Sequence, residues 1–158
     1  TANASALLPT VVSRFQVVAF MPPRGDEVAR WLEESEGFSA IEAARLAKES
    51  WGRPGLAVRL ARDEEFRARI AAAREFLALT ASARKGFLKT LVADDTFALV
   101  PFVEAVILVC AWELERQKST SAFQRFHRVV ELRRRLETAP LNPKIQLEYI
   151  AGSGNARI

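Results

Sequence analysis

The sequence predicts a mainly α-helical protein, and three observations support this class. Apolar residues recur at intervals of three and four along most of the chain, as on the buried face of a helix. Residues that favour helix N-termini precede these segments. Of 158 residues, 49% are hydrophobic, and only seven are Gly and seven are Pro. This composition is typical of a folded globular chain.

The first 20 residues differ from the rest. Residues 7–12 predict a short helix or turn, in which Pro9 is suited only to the start. Residues 15–20 are β-prone and are followed by two prolines, so they predict a short strand. Because a lone strand is not stable, its partners are expected upstream. The chain, which begins at Thr1, is therefore interpreted as a fragment of a longer protein.

Residues 24–62 predict a small helical domain. Asp26 is assigned as the cap of a first helix, which Gly37 ends. Ser39 heads a capping-box pattern at the start of a second helix. Pro54 suits the first position of a third helix.

Residues 63–158 predict a second helical unit. One long helix is expected from about residue 63 to residue 92. Its apolar residues follow the spacing of a single buried face: Phe66, Ile70, Ala73, Leu77, Ala81, Leu88 and Leu91.

Three further helices are expected after residue 92. The first is apolar and ends near Lys118. The second follows a capping loop at residues 119–121 and ends at about Thr138. The last begins at Asn142, which Pro143 follows in the order that favours a helix N-terminus.

The sequence offers little for catalysis by the chain alone. There is no GxxxxGK[ST], GxGxxG, CxxC or HExxH pattern. The single cysteine, Cys110, lies in an apolar run and is interpreted as a buried residue, whereas the only histidine, His127, is expected to be exposed. This assignment does not favour a Cys110–His127 nucleophile pair, which needs hydrogen-bond contact. No cofactor or metal site is predicted in the chain.

The apolar run at residues 97–112 is interpreted as a buried helix. Pro101 and Glu104 interrupt it, and it is shorter than the roughly 20 residues needed to cross a bilayer. No signal peptide is recognised at the N-terminus. A cytoplasmic location without membrane contact is therefore expected.

The net charge of +4 permits an acidic partner. Arg125, Arg128 and Arg135 are expected near one face of their helix, and this arginine stripe is a candidate phosphate-binding site. Phe123 and Phe126 are assigned to the core, so the aromatic residues that stack bases are not expected on the exposed face. A plain solvated helix face is the alternative.

Three segments resemble a known family. Residues 7–14, LLPTVVSR, are similar to the LLPTIxSRC motif at the end of the ATPase domain in clamp-loader subunits of the AAA+ family. Residues 52–57, GRPGLA, resemble the family's G-x-P-G-x-A turn in the small helical lid. Residues 142–150, NPKIQLEYI, resemble the N-x-x-L-x-L-E-x-L ending of its collar domain. Elsewhere the resemblance is one of helix pattern only.

The resemblance implies three parts. Residues 1–23 would be the end of an AAA+ core, residues 24–62 the helical lid, and residues 63–158 a helical collar for oligomerisation. The chain would belong to a delta-prime-like subunit of the bacterial DNA polymerase III clamp loader, which helps to load the sliding clamp onto DNA. The implied collar partners are gamma/tau-like and delta-like subunits, and the clamp and DNA would be contacted indirectly.

The resemblance also assigns residue roles. Arg14 would be an arginine finger that enters the ATP site of a neighbouring subunit, where ATP and Mg are implied, and Ser13 would orient the segment. A guanidinium can bind phosphate oxygens bidentately and stabilise the charge of phosphoryl transfer. Phe15 replaces the family's cysteine. Gly55 stands where ATP-hydrolysing subunits have a sensor arginine, so this chain resembles a subunit that does not hydrolyse ATP itself.

Two alternatives to the clamp-loader function stay open. One is a basic helical nucleic-acid-binding module that uses the arginine stripe, whose affinity would fall steeply with salt. The other is a stand-alone helical scaffold, in which the motif matches would be accidental.

Overall fold

A computed structural model describes residues 10, 14, 16, 18, 21–93 and 97–138. Most of these residues are helical and none lies in a strand, which confirms the mainly α class. The helices are α1 Gly25–Glu34, α2 Ala40–Glu49, α3 Pro54–Arg62, α4 Glu64–Ala78, α5 Ala81–Val92, α6 Leu99–Gln117 and α7 Thr120–Thr138. The predicted strand at residues 15–20 lies mostly outside the described residues, as does the predicted helix from Asn142.

The chain divides into two compact units, and the division falls between Ala57 and Val58, within α3. In the first unit, α1 packs against α2. The side chains at the centre of this pair are fully or almost fully buried: Val28, Leu32, Ala43, Leu46 and Ala47.

The start of α1 differs from the prediction. Arg24, and not Asp26, is the N-cap residue, and its backbone N–H donates to Glu27 Oε2 at 2.8 Å. Asp26 lies inside the first turn and forms an ion pair with Arg24 at 3.1 Å. The reason is that the extended backbone of Arg24, which follows two prolines, turns into the helix one residue later.

Two other predicted helix boundaries in this region are confirmed, and one is displaced. Helix α1 ends at Glu34 and not at Glu36, as the prediction that Gly37 stops it had required, and Gly37 has a φ of +75°, a conformation that glycine adopts without strain. The backbone N–H of Glu42 donates to Ser39 Oγ at 3.3 Å, so Ser39 caps α2. Pro54 is the first residue of α3.

The turn between α2 and α3 requires glycine at residue 52. Trp51 and Gly52 both have positive φ, of 50° and 70°. A Cβ at residue 52 would lie 2.9 Å from the carbonyl oxygen of Pro23. The adjacent Ser50 is fully buried, and its hydroxyl donates to the carbonyl of Ala47 at 3.1 Å. Both the positive φ and the close approach of Pro23 therefore favour glycine at residue 52.

The long helix predicted over residues 63–92 is wrong, because the structure has two helices there. Helix α4 ends at Ala78, and Leu79 is extended, with φ −70° and ψ 152°. Thr80 then caps α5 by accepting a hydrogen bond from the backbone N–H of Ala83 at 3.4 Å. The threonine was a local cap signal inside a run whose apolar spacing continues across the break.

Arg84 of α5 closes this break. Its Nε donates to the carbonyl of Phe76 at 3.0 Å and its Nη2 to the carbonyl of Leu77 at 2.8 Å. Carbonyls in the last turn of a helix have no partner inside the helix. The guanidinium also lies 5.3 Å from the centre of the Phe76 ring. The Arg84 side chain therefore provides hydrogen bonds for two carbonyls at the end of α4 and packs over the Phe76 ring.

Phe76 lies at the centre of the second unit, where its side chain is 0% exposed. Its ring centre is 6.1 Å from that of Phe87 in α5 and 5.8 Å from that of Phe102 in α6, the latter in an edge-to-face arrangement. Such geometry is favourable for aromatic pairs. Phe76 thus joins three helices.

Helix α6 packs against both α4 and α7 and has buried residues at both of these contacts or between them: Phe102, Val103, Ala105, Val106, Val109 and Cys110. Ion pairs join Glu104 to Arg133 at 3.1 Å and Glu113 to Arg125 at 2.8 Å. Moving forward along α6 therefore means moving backward along α7, so the two helices are antiparallel. The connection between them is short, and Ser119 Oγ accepts from the backbone N–H of Ala122 at 3.2 Å, as the predicted capping loop requires.

Substitution of Gly52 by alanine should destabilise the first unit. Both the positive φ and the contact with the Pro23 carbonyl oppose a Cβ, and we expect a loss of about 1–3 kcal/mol in the free energy of unfolding. Urea unfolding followed by circular dichroism measures it. Gly55→Ala is the matched control, because a Cβ there meets nothing within 4 Å and α3 should be unchanged or more stable. Equal midpoints for both variants would contradict the requirement for glycine.

Substitution of Arg84 by methionine should destabilise the second unit by about 1–3 kcal/mol, because carbonyls at the end of α4 lose their partners. Methionine keeps most of the aliphatic bulk. Lys85→Met on the same helix is the control, since Lys85 is exposed. Thermal unfolding of both variants, compared with the unsubstituted chain, tests this; similar melting temperatures for Arg84→Met and Lys85→Met would show that the Arg84 hydrogen bonds contribute little.

Candidate functional site

Of the two residues assigned to the arginine finger, the structure describes one. Arg14 lies in a turn and its side chain is exposed. Ser13 lies outside the described residues. An exposed arginine in a turn can reach a group outside its own chain, which a finger acting in trans requires.

The three residues of the arginine stripe lie in different environments, and one of them forms an ion pair with α6. Arg125 faces α6, where its Nη1 lies 2.8 Å from Glu113 Oε2. Arg128 is half-buried, and Arg135 is exposed further along the helix. The neighbouring Arg133 and Arg134 pair with Glu104 and Glu131 at 3.1 and 3.2 Å. Much of the positive charge of α7 is thus offset by carboxylates of α6 and of α7 itself.

A small polar group lies where α5, α6 and α7 converge. The charges of Arg84 and Arg125 interact with Glu113 and with the thiol of Cys110. Burial lowers the pKa of Arg84, and the charge of Arg125 lowers it further. The pair of Arg125 with Glu113 and the hydrogen bonds of Arg84 to α4 give this group a structural purpose.

Cys110 is confirmed as a buried residue, with 1% of its surface exposed. Burial is the main reason why the pKa of its thiol is raised to about 12, and the negative charge of Glu113 adds to the effect. His127, in contrast, is exposed. Because the thiolate is the reactive form, this cysteine is not suited to nucleophilic catalysis.

The assignment of Phe123 to the core is wrong. Its side chain is 54% exposed, and its ring lies beside that of His127, with centres 6.1 Å apart. The helical repeat explains this, because the buried residues of α7 include Ala122 and Val129, which lie seven residues apart on one face. Phe123 is rotated by about 100° from that face. The spacing from Ala122 was the signal that could have placed it.

Next to Phe123, the turn between α6 and α7 forms a shallow, open cavity of about 400 Å³. Its lining consists of Leu114, Lys118, Ser119, Thr120 and Phe123. Lys118 adopts the left-handed conformation, with φ 48°, that ends α6. An ammonium group, hydroxyl groups and an aromatic ring therefore lie together at this end of the helical pair.

A second groove, of about 600 Å³, lies in the first unit between α1 and α2. Small side chains and charges of both signs line it: Gly25, Asp26, Ala29, Arg30, Glu33, Ala44, Ala47 and Lys48. Across residues 21–93 and 97–138, no group of three or more His, Cys, Asp or Glu side chains could hold a metal ion. Among the helices that the structure describes, none is both long and apolar enough to span a membrane.

Comparison of the chain with protein-family models, with curated proteins and with solved structures finds no match. The family resemblance therefore depends on three segments, residues 7–14, 52–57 and 142–150.

The native chain should resist alkylation at Cys110. Because burial raises its pKa to about 12, very little of this thiol is ionised at pH 8, and the side chain is also inaccessible. We expect iodoacetamide to label the native chain at least about 100-fold more slowly than the same chain in urea, where an ordinary thiol pKa returns.

The raised pKa of Cys110 also predicts the direction in which the stability of the folded chain changes with pH. The raised pKa contributes stability that is present below the unfolded thiol pKa of about 8.5 and is lost as pH rises towards 12.

For the labelling experiment, Thr120→Cys provides an exposed thiol as a positive control in the native state. Equal labelling rates in native and unfolded chains, mapped by mass spectrometry to Cys110, would contradict its burial.

Proposed function

We propose that this chain is part of a delta-prime-like subunit of a bacterial clamp loader, which helps to place the sliding clamp on DNA. The observation that carries the proposal is the segment at residues 7–14, LLPTVVSR, with its resemblance to the family motif. Its one charged residue, Arg14, is exposed.

Arg14 acts in this proposal as an arginine finger. Its side chain would project into the ATP site of a neighbouring subunit and contact the triphosphate that this subunit binds with Mg. The guanidinium spreads its positive charge over two donors, which suits the oxygens of the transferred phosphoryl group. Lysine would supply charge without this bidentate geometry. The chain itself would hydrolyse no ATP, since Gly55 replaces the sensor arginine.

The second unit corresponds in this proposal to the family's collar. A helical bundle is the observed architecture of its described residues. The proposed partners are gamma/tau-like and delta-like subunits, bound through residues 63–158, and the clamp and DNA are reached through the assembly.

The alternative module, in which Arg125, Arg128 and Arg135 bind phosphates, is supported less well. Arg125 forms an ion pair with Glu113 at 2.8 Å, with the side chains 42% and 26% exposed. A phosphate would have to displace that carboxylate, so the contact would gain little. The scaffold alternative leaves the LLPTVVSR segment without an explanation.

Replacement of Arg14 tests the proposal. In the complete subunit, assembled with gamma/tau-like and delta-like partners, Arg14→Ala should lower kcat for ATP hydrolysis by about 10³-fold or more at the site that receives the finger. Arg14→Lys should restore little of it, because lysine lacks the bidentate geometry. Steady-state ATPase assays with primed DNA and clamp present measure the effect.

Arg30→Ala is the matched control, as it removes an exposed arginine of α1 that lies outside the motif. Sedimentation of each variant with its partners separates a lost finger from lost assembly. Wild-type ATPase in a fully assembled Arg14→Ala loader would refute the finger, whereas failure of the unsubstituted chain to join any clamp-loader partner would refute the proposed function as a whole.

A further inference from the structure

The turn between α6 and α7 and the start of α7 form an exposed surface that has no role in the clamp-loader proposal. It consists of Phe123 and His127 of α7 together with Lys118, Ser119 and Thr120 of the connecting turn, and is called the tip surface below. Phe123 contributes to the lining of the shallow cavity beside this turn.

The aromatic part of the tip surface faces solvent. Phe123 is 54% exposed, although the same unit buries Phe76 and Phe102 almost completely. The His127 ring lies beside it at 6.1 Å, tilted by 34°. Since His127 is exposed as well, the two rings form a short platform along the outer face of α7. Because the two rings are tilted to each other, the more exposed Phe123 ring is the one available for stacking with a ligand.

The charge near the platform is mainly positive, with Glu115 and Glu131 at either side of the basic stretch. Residues 116–130 contain no Asp or Glu, and they carry Arg116, Lys118, Arg125 and Arg128. Arg125 is neutralised by Glu113 on the core side. Lys118 is exposed, and the left-handed backbone at the end of α6 holds it at the turn, where it lines the cavity with Phe123. The hydroxyl groups of Ser119 and Thr120 line the same cavity and can donate hydrogen bonds.

We propose that the tip surface binds single-stranded nucleic acid, with an unpaired base stacked on Phe123 and an adjacent phosphate held by Lys118. Exposed aromatic rings in a positively charged setting are the means by which proteins bind single strands without sequence preference. In a duplex the faces of the bases are hidden in the stack, so a single strand fits this platform better. The charge complementarity favours a polyanion over an apolar protein helix. This inference does not depend on the clamp-loader proposal.

The test is fluorescence anisotropy with a labelled oligothymidylate and the 158-residue chain at low salt. We expect binding that weakens with added salt. Phe123→Ala should weaken it by about 5- to 100-fold, the range expected for loss of one base–aromatic stack. Phe123→Trp should restore it. Ile41→Ala is the matched control, because Ile41 is an apolar residue that is 86% exposed on α2.

The charge is tested separately. Lys118→Asn keeps a residue that tolerates the left-handed backbone and should reduce the slope of log affinity against log salt by about 0.7, one phosphate contact to a single strand. Lys89→Gln, at an exposed lysine of α5, should leave the slope unchanged.

Three results would overturn the proposal. One is the absence of binding at low salt by the unsubstituted chain. Another is equal affinity of Phe123→Ala and Ile41→Ala, with unfolding midpoints that show both to be folded. The last is a change in the sedimentation of Phe123→Ala with no change in oligonucleotide affinity, which would identify the tip surface as a protein contact instead.

Discussion

The second unit depends on the way α4 ends. Phe76 lies in the last turn of that helix and contacts aromatic rings of α5 and α6, so the helix must stop there for α5 to fold back. Stopping it leaves buried carbonyls, and Arg84 satisfies two of them while its guanidinium covers the Phe76 ring. The desolvation of this guanidinium, which lowers its pKa, is offset by hydrogen bonds and by the ring.

The position of α6 follows from that junction and in turn orients α7. Helix α6 is buried against α4, and its carboxylates Glu104 and Glu113 pair with Arg133 and Arg125 of α7. These ion pairs join α7 to α6 in the antiparallel orientation and neutralise part of the positive charge of α7. The same rotation of α7 that buries Val129 leaves Phe123 in solvent. The exposed platform is thus a consequence of how the core is packed.

The two proposals concern different chemistry. Arg14 would stabilise the charge of a reacting triphosphate, which is a demand on one guanidinium and its geometry. The tip surface would bind a single strand through base stacking and a phosphate contact. This requires an exposed aromatic ring and a positive charge, but no catalytic group. Cys110 takes part in neither, because it is buried and its raised pKa keeps the thiol neutral.

The sequence by itself determined the helical class, the cap at Ser39, the capping loop at residues 119–121 and the burial of Cys110, because spacing and capping are local properties. It also supplied the motif around Arg14. Only the tertiary structure decided the break between α4 and α5, the partners of the α7 arginines and the exposure of Phe123. Apolar spacing continues through residue 79, and Thr80 is the one local cap signal there, so spacing alone did not predict the fold-back that places Phe76 against Phe87 and Phe102. Ion pairs such as Arg125 with Glu113 join separate helices, and no pattern within one helix specifies them.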